Sequence, residues 1–121
     1  DHSVAIGSLM GSLYHVDEML KQGKTMQTKS KSKYKKLGCI WVDAHADINT
    51  LESSDSGNVH GMPLAFVTGI DKAWNWVNEI GLELPFEDLY YWGIRDLDNF
   101  EIDIIDNYGI KVLYDKEECM E

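Results

Sequence analysis

Residues 38–42 form a short apolar segment, Gly-Cys-Ile-Trp-Val, that is followed at once by a run of polar residues. Its β-branched and aromatic content is typical of a buried strand in a parallel sheet. The same order, an apolar segment and then acidic residues, recurs over 89–98. Because binding residues collect where parallel strands end, the repeated pattern predicts an α/β fold with one functional sheet edge.

The remaining hydrophobic spacing places helices between the strands. The pattern predicts helices over 4–21, 62–68, 73–80 and 99–108, and strands over 38–42, 89–93 and 110–114. Strands joined by helical crossovers run parallel to one another. We therefore predict a mostly parallel sheet with flanking helices, and we find neither an internal repeat nor a domain boundary.

Charge is unevenly distributed along the chain. There are 11 basic and 21 acidic residues, giving a net charge of -10, but lysines are concentrated between Lys21 and Lys36, where no acid occurs. We interpret residues 21–37 as a solvated, Lys-rich insertion loop. The acidic remainder of the chain disfavours a nucleic acid partner and suits cationic ligands.

Hydropathy and cysteine content restrict the class of protein further. No apolar run approaches the length of a membrane span, and the first residues lack the pattern of a signal peptide. The two cysteines, Cys39 and Cys119, exclude a disulfide scaffold and are compatible with a reducing compartment. We expect a cytoplasmic protein without a membrane partner, and a mitochondrial location stays open.

Three side chains that bind hard metal ions follow the first predicted strand: Asp43, His45 and Asp47. If the extended backbone continued past Val42, these alternate side chains would leave one face and converge. Carboxylates with an imidazole, and without a thiolate, suit Mn²⁺, Zn²⁺ or Fe²⁺ in a hydrolytic centre. Asp43 could bridge two ions, which would lower the pKa of bound water toward neutrality. An Asp-rich turn capped by a histidine is the alternative interpretation of this spacing.

Three further polar blocks favour the metal interpretation. Residues 1–3 read Asp-His-Ser, residues 56–60 read Ser-Gly-Asn-Val-His, and residues 93–98 read Gly-Ile-Arg-Asp-Leu-Asp. The second block is a polar loop between apolar segments, which is where binding residues usually lie. The third block ends the second predicted strand, so one sheet edge would collect these side chains.

These blocks, in this order, resemble the signatures of the ureohydrolase superfamily and specifically of arginases. The resemblance covers nearly the whole chain except 20–36, and Asn49 with the Ser-Gly-Asn run at 56–58 distinguishes arginases from agmatinases. It implies a partial three-layer α/β domain over 1–121. The implied reaction is hydrolysis of L-arginine to L-ornithine and urea by a metal-bridging hydroxide, in the urea cycle or arginine catabolism.

The resemblance also implies how the metal site is divided among the residues. Asp43 would bridge two Mn²⁺ ions, His2 and Asp47 would complete one site, and His45 would bind the other ion. His60 would be catalytic and carry a proton between solvent and the site, a role that suits histidine. From the sequence alone, a structural role as a helix cap is the alternative for His60.

Substrate recognition is assigned by the same resemblance. Neutral donors would hold the carboxylate of L-arginine, and Asp98 would face its ammonium group. An N-cap role for Asp98 is compatible with this assignment. The substrate-binding residues implied in this way are His45, Asn49, Ser56, Gly57, Asn58, Asp98 and Glu101.

Several features depart from the arginase pattern. Leu51 and the pair Asn99-Phe100 stand where arginases usually carry proline and Pro-Gly, and the second acidic metal motif is not in the chain. We therefore expect an internal fragment that shows no turnover in isolation. Family analogy suggests a homo-oligomer, commonly a trimer. Agmatinase or another ureohydrolase, or a non-catalytic metal-binding fragment of the fold, are the alternative functions.

Overall fold

The computed structural model describes residues 2–25 and 36–114. A short 3₁₀ turn over His2–Val4 opens the chain, and similar turns lie at Val59–Gly61 and Phe86–Asp88. The predicted helices and strands are all present, and the last helix matches its predicted bounds. In chain order the elements are α1 (Ala5–Thr25), β1 (Cys39–Val42), α2 (Pro63–Thr68), α3 (Asn75–Ile80), β2 (Leu89–Trp92), α4 (Asn99–Tyr108) and β3 (Lys111–Leu113).

The three strands form one parallel sheet in the order β1-β2-β3. Trp41 of β1 is level with Tyr91 of β2, which is level with Val112 of β3. Helices connect the strands, as parallel pairing requires. The predicted α/β fold class is confirmed, and the carboxyl ends of β1 and β2 lie side by side.

The first helix is longer than predicted, because α1 continues past Lys21 to Thr25. Lysine and glutamine favour helix, and Lys21 forms an ion pair with Asp17 one turn earlier, with Nζ and Oδ2 3.0 Å apart. The first residues of the predicted insertion loop 21–37 are therefore helical. Residues 26–35 of that loop lie outside the described part of the chain.

The core lies on one face of the sheet. Tyr91 on β2 is fully buried there, and every residue of α2 is buried as well. From α1, Ile6 and Met10 enter the same cluster, since they lie one helical turn apart on one side. This packing fixes α2 and the loops beside it as a rigid support for the end of the sheet.

The opposite face of the sheet is apolar and exposed. Ile40, Val42 and Trp92 share this face by strand alternation, and 58%, 71% and 45% of their surfaces are accessible. Within residues 2–25 and 36–114, this face of the sheet is left partly open to solvent. In the same ranges, no helix is long and apolar enough to cross a membrane.

Candidate active site

The polar segments that follow β1 and β2 are joined by backbone hydrogen bonds. Asp43 N–H donates to the carbonyl oxygen of Trp92 at 3.1 Å, which continues the strand pairing by one residue. The carbonyl oxygen of Ala44 accepts from the backbone N–H groups of Arg95 and Asp96, at 2.8 and 3.0 Å. The two acidic blocks predicted at separate strand ends therefore lie against each other.

Gly93 makes the tight turn that allows this contact. Its φ of +88° is in the left-handed region, where a side chain would be strained. A Cβ atom at this position would also lie 3.5 Å from the carbonyl oxygen of Asp43. Glycine thus lets the chain leave β2 sharply while remaining close to the end of β1.

His45 lies between two carboxylates at this edge. Its Nδ1 is 3.3 Å from Oδ1 of Asp43, and its Nε2 is 3.1 Å from Oδ2 of Asp96. Partial desolvation lowers the pKa of His45, but the hydrogen bonds with Asp96 and Asp43 outweigh it and leave the pKa above its ordinary value. The imidazole is therefore fixed in orientation by an acid on each side.

Asp47 is buried and conformationally unusual. Only 4% of its surface is accessible, and it is the one non-glycine residue of the described ranges with a positive φ, at 51°. Aspartate is among the few residues that tolerate this region, and such strain is concentrated at functional sites. The indole Nε1 of Trp41 donates to Oδ2 of Asp47 at 3.3 Å. The carboxylate is thus held in one direction by a strand residue.

The expected convergence of alternate side chains does not occur by strand geometry. β1 ends at Val42, and the chain bends immediately afterwards, so the period-two argument does not extend to position 47. Asp43 and His45 do meet, but Asp47 takes a left-handed conformation instead of an extended one. That expectation was wrong because the local turn, rather than sheet pairing, sets the direction of these side chains.

Backbone atoms around Asp47 are held by the core beneath them. The Tyr91 hydroxyl donates to the carbonyl oxygen of Ala46 at 2.6 Å, and the Leu64 N–H donates to that of Asp47 at 3.0 Å. Burial raises the pKa of the Tyr91 phenol above its ordinary value, so its hydroxyl remains a donor. Strand β2 and helix α2 together fix the loop that carries the acidic residues.

The predicted metal ligands fit Mn²⁺ by their chemistry. Carboxylates and imidazole are its usual protein ligands, and Asp43 and His45 are already in contact. His2 lies in the turn that packs against Val59–Gly61, and its side chain lies outside the described part of the structure. Among the described residues, no three acidic, histidine or cysteine side chains are arranged so that they could hold a metal ion. The metal assignment therefore stays a prediction.

Two predicted substrate-binding residues are in direct contact. Nδ2 of Asn49 donates to Oδ2 of Asp98 at 2.6 Å, which joins the loop after β1 to the start of α4. The Ser53 hydroxyl donates to Oδ1 of Asn49 at 2.9 Å and so fixes the orientation of the amide. A proposed carboxylate-binding group and a proposed ammonium-binding group are thus adjacent.

The Ser-Gly-Asn run lies on an exposed loop that follows Asn49 in the chain. Ser56, Gly57 and Asn58 are all exposed, and Gly57 has a φ of 69°. The Ser56 hydroxyl accepts from the Asn58 N–H at 3.2 Å, while the Gly57 N–H donates to the Ser54 hydroxyl at 3.1 Å. The loop is therefore shaped by its own serines.

Asp98 and Glu101 form a capping box at the start of α4. Oδ1 of Asp98 accepts from the Glu101 N–H at 2.8 Å, and Oε1 of Glu101 accepts from the Asp98 N–H at 3.3 Å. Oε2 of Glu101 accepts from the Ile48 N–H at 3.4 Å. Asp98 thus caps the helix with one oxygen and contacts Asn49 with the other. Glu101 points inward, so its predicted substrate contact stays a prediction.

His60 is exposed in the turn Val59–Gly61. The carbonyl oxygen of the next residue, Gly61, accepts from the backbone N–H of Asn49 at 3.2 Å. This bond brings the turn to the loop that carries the substrate-binding candidates. Met62 occupies the N-cap of α2 and makes no side-chain cap hydrogen bond, so His60 is not the N-cap residue of that helix.

Comparison with known proteins identifies the family of this chain. The sequence profile of the arginase family matches residues 1–120. The chain belongs to the arginase family. It is 42% identical over 116 residues to the arginase of Coccidioides immitis, covering 92% of this chain and 32% of that protein. It is 41% identical over 114 residues to the arginase of Bacillus subtilis, covering 93% and 32%.

Solved arginase structures share the fold of this chain. The arginase of Bacillus caldovelox matches with a TM-score of 0.68 and 39% identity over 93% of this chain and 32% of its own. Entamoeba histolytica arginase in complex with L-ornithine matches with a TM-score of 0.66 and 33% identity, covering 93% and 33%. This arginase-family chain therefore spans about a third of the length of these relatives.

Four residues that contact the candidate site were not singled out from the sequence. Trp41 and Tyr91 are register partners on β1 and β2, and both donate hydrogen bonds to the loop that carries Asp47. Asp96 contacts His45, and Asp71 accepts from a loop amide. Strand alternation could have identified Trp41, which lies two residues before Asp43. The Asp71 contact spans two loops and leaves no periodic signal.

Proposed function

We propose that this chain carries part of the active site of an arginase, a hydrolase that converts L-arginine and water into L-ornithine and urea. The contact between Asn49 and Asp98 carries this assignment, since it joins an amide donor and a carboxylate at 2.6 Å. An α-amino acid presents a carboxylate and an ammonium group on one carbon atom. Recognition of that carbon atom requires a hydrogen-bond donor for the carboxylate next to an acceptor for the ammonium group.

Substrate binding would open the bond between Asn49 and Asp98. The amide of Asn49 would then donate to the substrate carboxylate, together with the hydroxyl of Ser56. Asp98 would accept from the substrate ammonium with Oδ2, while Oδ1 continues to cap α4. Fixing the α-carbon in this way orients the guanidinium group toward the acidic loop.

The acidic loop would hold the metal ions. Asp43, Asp47, His2 and His45 would hold two Mn²⁺ ions. When bound, the ions would supply a water nucleophile at neutral pH. Asp96 keeps the imidazole of His45 in place, and Trp41 keeps the carboxylate of Asp47 in place, which lowers the cost of assembling the site.

His60 would transfer the proton that the leaving amine requires. The departing nitrogen of L-ornithine must gain a proton when the C–N bond breaks, and histidine is suited to proton transfer at neutral pH. His60 is exposed and belongs to the turn that bonds to Asn49, so solvent can reprotonate it. A relative of known structure supports the product side of this reaction, since Entamoeba histolytica arginase was solved in complex with L-ornithine.

The decisive experiment measures urea and L-ornithine formed from L-arginine by the intact protein that contains this chain, with Mn²⁺ added. Asp43→Asn should abolish product formation, because it removes the proposed bridging carboxylate. Asp55→Asn is the matched control: it makes the same change on an exposed residue of the neighbouring loop. Absence of urea from the unsubstituted protein with Mn²⁺ would refute the proposal.

Agmatine tests the main alternative within the superfamily. It lacks the carboxylate that Asn49 and Ser56 would bind, so an arginase should process it far more slowly than L-arginine. Faster hydrolysis of agmatine would assign the protein to the agmatinases. The isolated 121 residues should release no urea, since they span only about a third of the length of the arginases that they match. Urea release by the isolated chain would show that its own residues complete the site.

A further inference from the structure

Asp71 joins three parts of the chain near the proposed substrate site. It lies in the connection between α2 and α3, and its backbone N–H donates to the carbonyl oxygen of Ala65 at 3.0 Å. Its Oδ1 accepts from the Ala73 N–H at 2.9 Å, and its Oδ2 accepts from the Leu51 N–H at 2.8 Å. A carboxylate that accepts from two backbone amides holds its neighbours firmly.

The amide of Leu51 belongs to the loop that carries the carboxylate-binding candidates. It lies two residues after Asn49, and its side chain is 45% exposed, so packing does not hold it. Thr50 N–H donates to the Ser53 hydroxyl at 2.8 Å, and that hydroxyl donates to Oδ1 of Asn49 at 2.9 Å. Fixing Leu51 therefore fixes the small turn that orients the Asn49 amide.

The other end of this connection is rigid. All residues of α2 are buried, and Asp71 bonds directly to the backbone of Ala65 within that helix. Asp71 thus connects the buried helix α2 to an exposed loop, and its carboxylate makes the hydrogen bond to that loop. Along the described part of this loop, Asn49 is bonded on its other side to Asp98, so its amide is held between α4 and the Asp71 turn.

We propose that Asp71 is a positioning residue that sets the orientation of Asn49 for recognition of the substrate carboxylate. This inference rests on the proposed arginase function. The contact depends on a backbone N–H at position 51, which proline lacks. Leucine at position 51, where the sequence departs from the arginase pattern, is therefore what makes the contact available in this chain.

The test compares Asp71→Ala, Asp71→Asn and Leu51→Pro in the intact protein. Asp55→Ala, on the loop that carries Leu51, is the control. Loss of an indirect charged hydrogen bond should raise KM for L-arginine about 3- to 10-fold and leave kcat within about twofold. Inhibition by L-ornithine should weaken similarly, and inhibition by 1,4-diaminobutane, which has no carboxylate, should not change. Asn at position 71 keeps one acceptor oxygen and should restore part of the affinity.

Amide hydrogen exchange at Leu51 provides a readout that does not depend on activity. Exchange should accelerate in Asp71→Ala, and Leu51→Pro combined with Asp71→Ala should raise KM no further than either change alone. Equal effects on L-ornithine and 1,4-diaminobutane, or unchanged exchange at Leu51, would overturn the positioning role. If the unsubstituted protein formed no urea, the arginase function and the substrate role of Asp71 would both fail. Amide hydrogen exchange at Leu51 would still decide whether Asp71 holds the Leu51 backbone.

Discussion

The side-chain amide of Asn49 donates to Oδ2 of Asp98 at 2.6 Å and joins the loop after β1 to the start of α4. Oδ1 of the same Asp98 accepts from the backbone of Glu101, so one carboxylate serves both the helix and the proposed site. The helix cap gives Asp98 a fixed direction before any substrate is bound. Recognition of an α-amino acid would then require only that the Asn49 contact be exchanged for the ligand.

The two members of this pair should affect different parts of the substrate. Asn49→Ala should lower kcat/KM for L-arginine about 10- to 100-fold by removing a hydrogen bond to a charged group, and leave the slow reaction with agmatine unchanged. Asp98→Asn should lower kcat/KM for L-arginine and for agmatine, because both substrates carry an ammonium group. Steady-state urea production measures each value. Asn107→Ala, on an exposed position of α4, is the control. Equal loss on both substrates with Asn49→Ala would contradict the assigned role.

The hydroxyl of Tyr91 should contribute measurably to the free energy of unfolding. Tyr91→Phe leaves the buried carbonyl oxygen of Ala46 without its donor at 2.6 Å, and the unfolding free energy should fall by about 1–3 kcal/mol. Chemical denaturation measures this change. Tyr90→Phe, on the next residue of β2, keeps the ring beneath Lys111 and should change stability by less than about 0.5 kcal/mol. A similar loss in both variants would show that the Ala46 bond contributes nothing specific.

The fold could be predicted because its signals are local and periodic. The apolar strands β1 and β2 stand out from their polar surroundings, and the helix over Asn99–Tyr108 is bounded by Asp98 and by Gly109, which has a φ of 62°. The end of α1 was less predictable. Lysines that suggest a solvated loop are also good helix formers, and here the helix continued.

The position of the acidic blocks at one sheet edge was predictable, but the direction of each side chain was not. The blocks containing Asp43 and Asp98 were expected at one edge, and the bonds between Ala44 and the residues after Gly93 place them there. The direction of Asp47 was not predictable, because its positive φ departs from strand geometry and its contacts with Trp41 and Leu64 are non-local. Asp71 was missed for a related reason, since long-range hydrogen bonds carry no periodicity.

Stability should depend on pH through Glu101. Burial raises the pKa of Glu101 above its ordinary value, and backbone hydrogen bonds from Asp98 and Ile48 offset this only in part. Between the unfolded and the folded pKa, the native state binds more protons than the unfolded state. The contribution of Glu101 to the unfolding free energy should therefore be greatest below the unfolded pKa and decline as the pH rises through the folded value.

Denaturation of the chain and of Glu101→Gln at a series of pH values measures this contribution. Glutamine does not titrate, so the difference in unfolding free energy reports the titration of Glu101 together with its coupling to Asp98 and Asp47. That difference, chain minus variant, should decrease from acidic toward neutral pH. An increase over the same range would mean that the hydrogen bonds to the ionised carboxylate dominate over burial.

Asp47 should separate metal binding from stability. Asp47→Asn keeps an oxygen that can accept from Trp41 and a residue type that tolerates a positive φ, and it removes the cost of burying a charge. Its unfolding free energy without metal should fall by less than about 1 kcal/mol or should rise. Asp47→Ala loses both features and should cost about 1–3 kcal/mol. Mn²⁺ affinity of the intact protein should fall at least about 10-fold in both variants, as titration followed by electron paramagnetic resonance would show. Unchanged Mn²⁺ affinity in Asp47→Asn would exclude Asp47 as a ligand and assign its buried carboxylate to the fold alone.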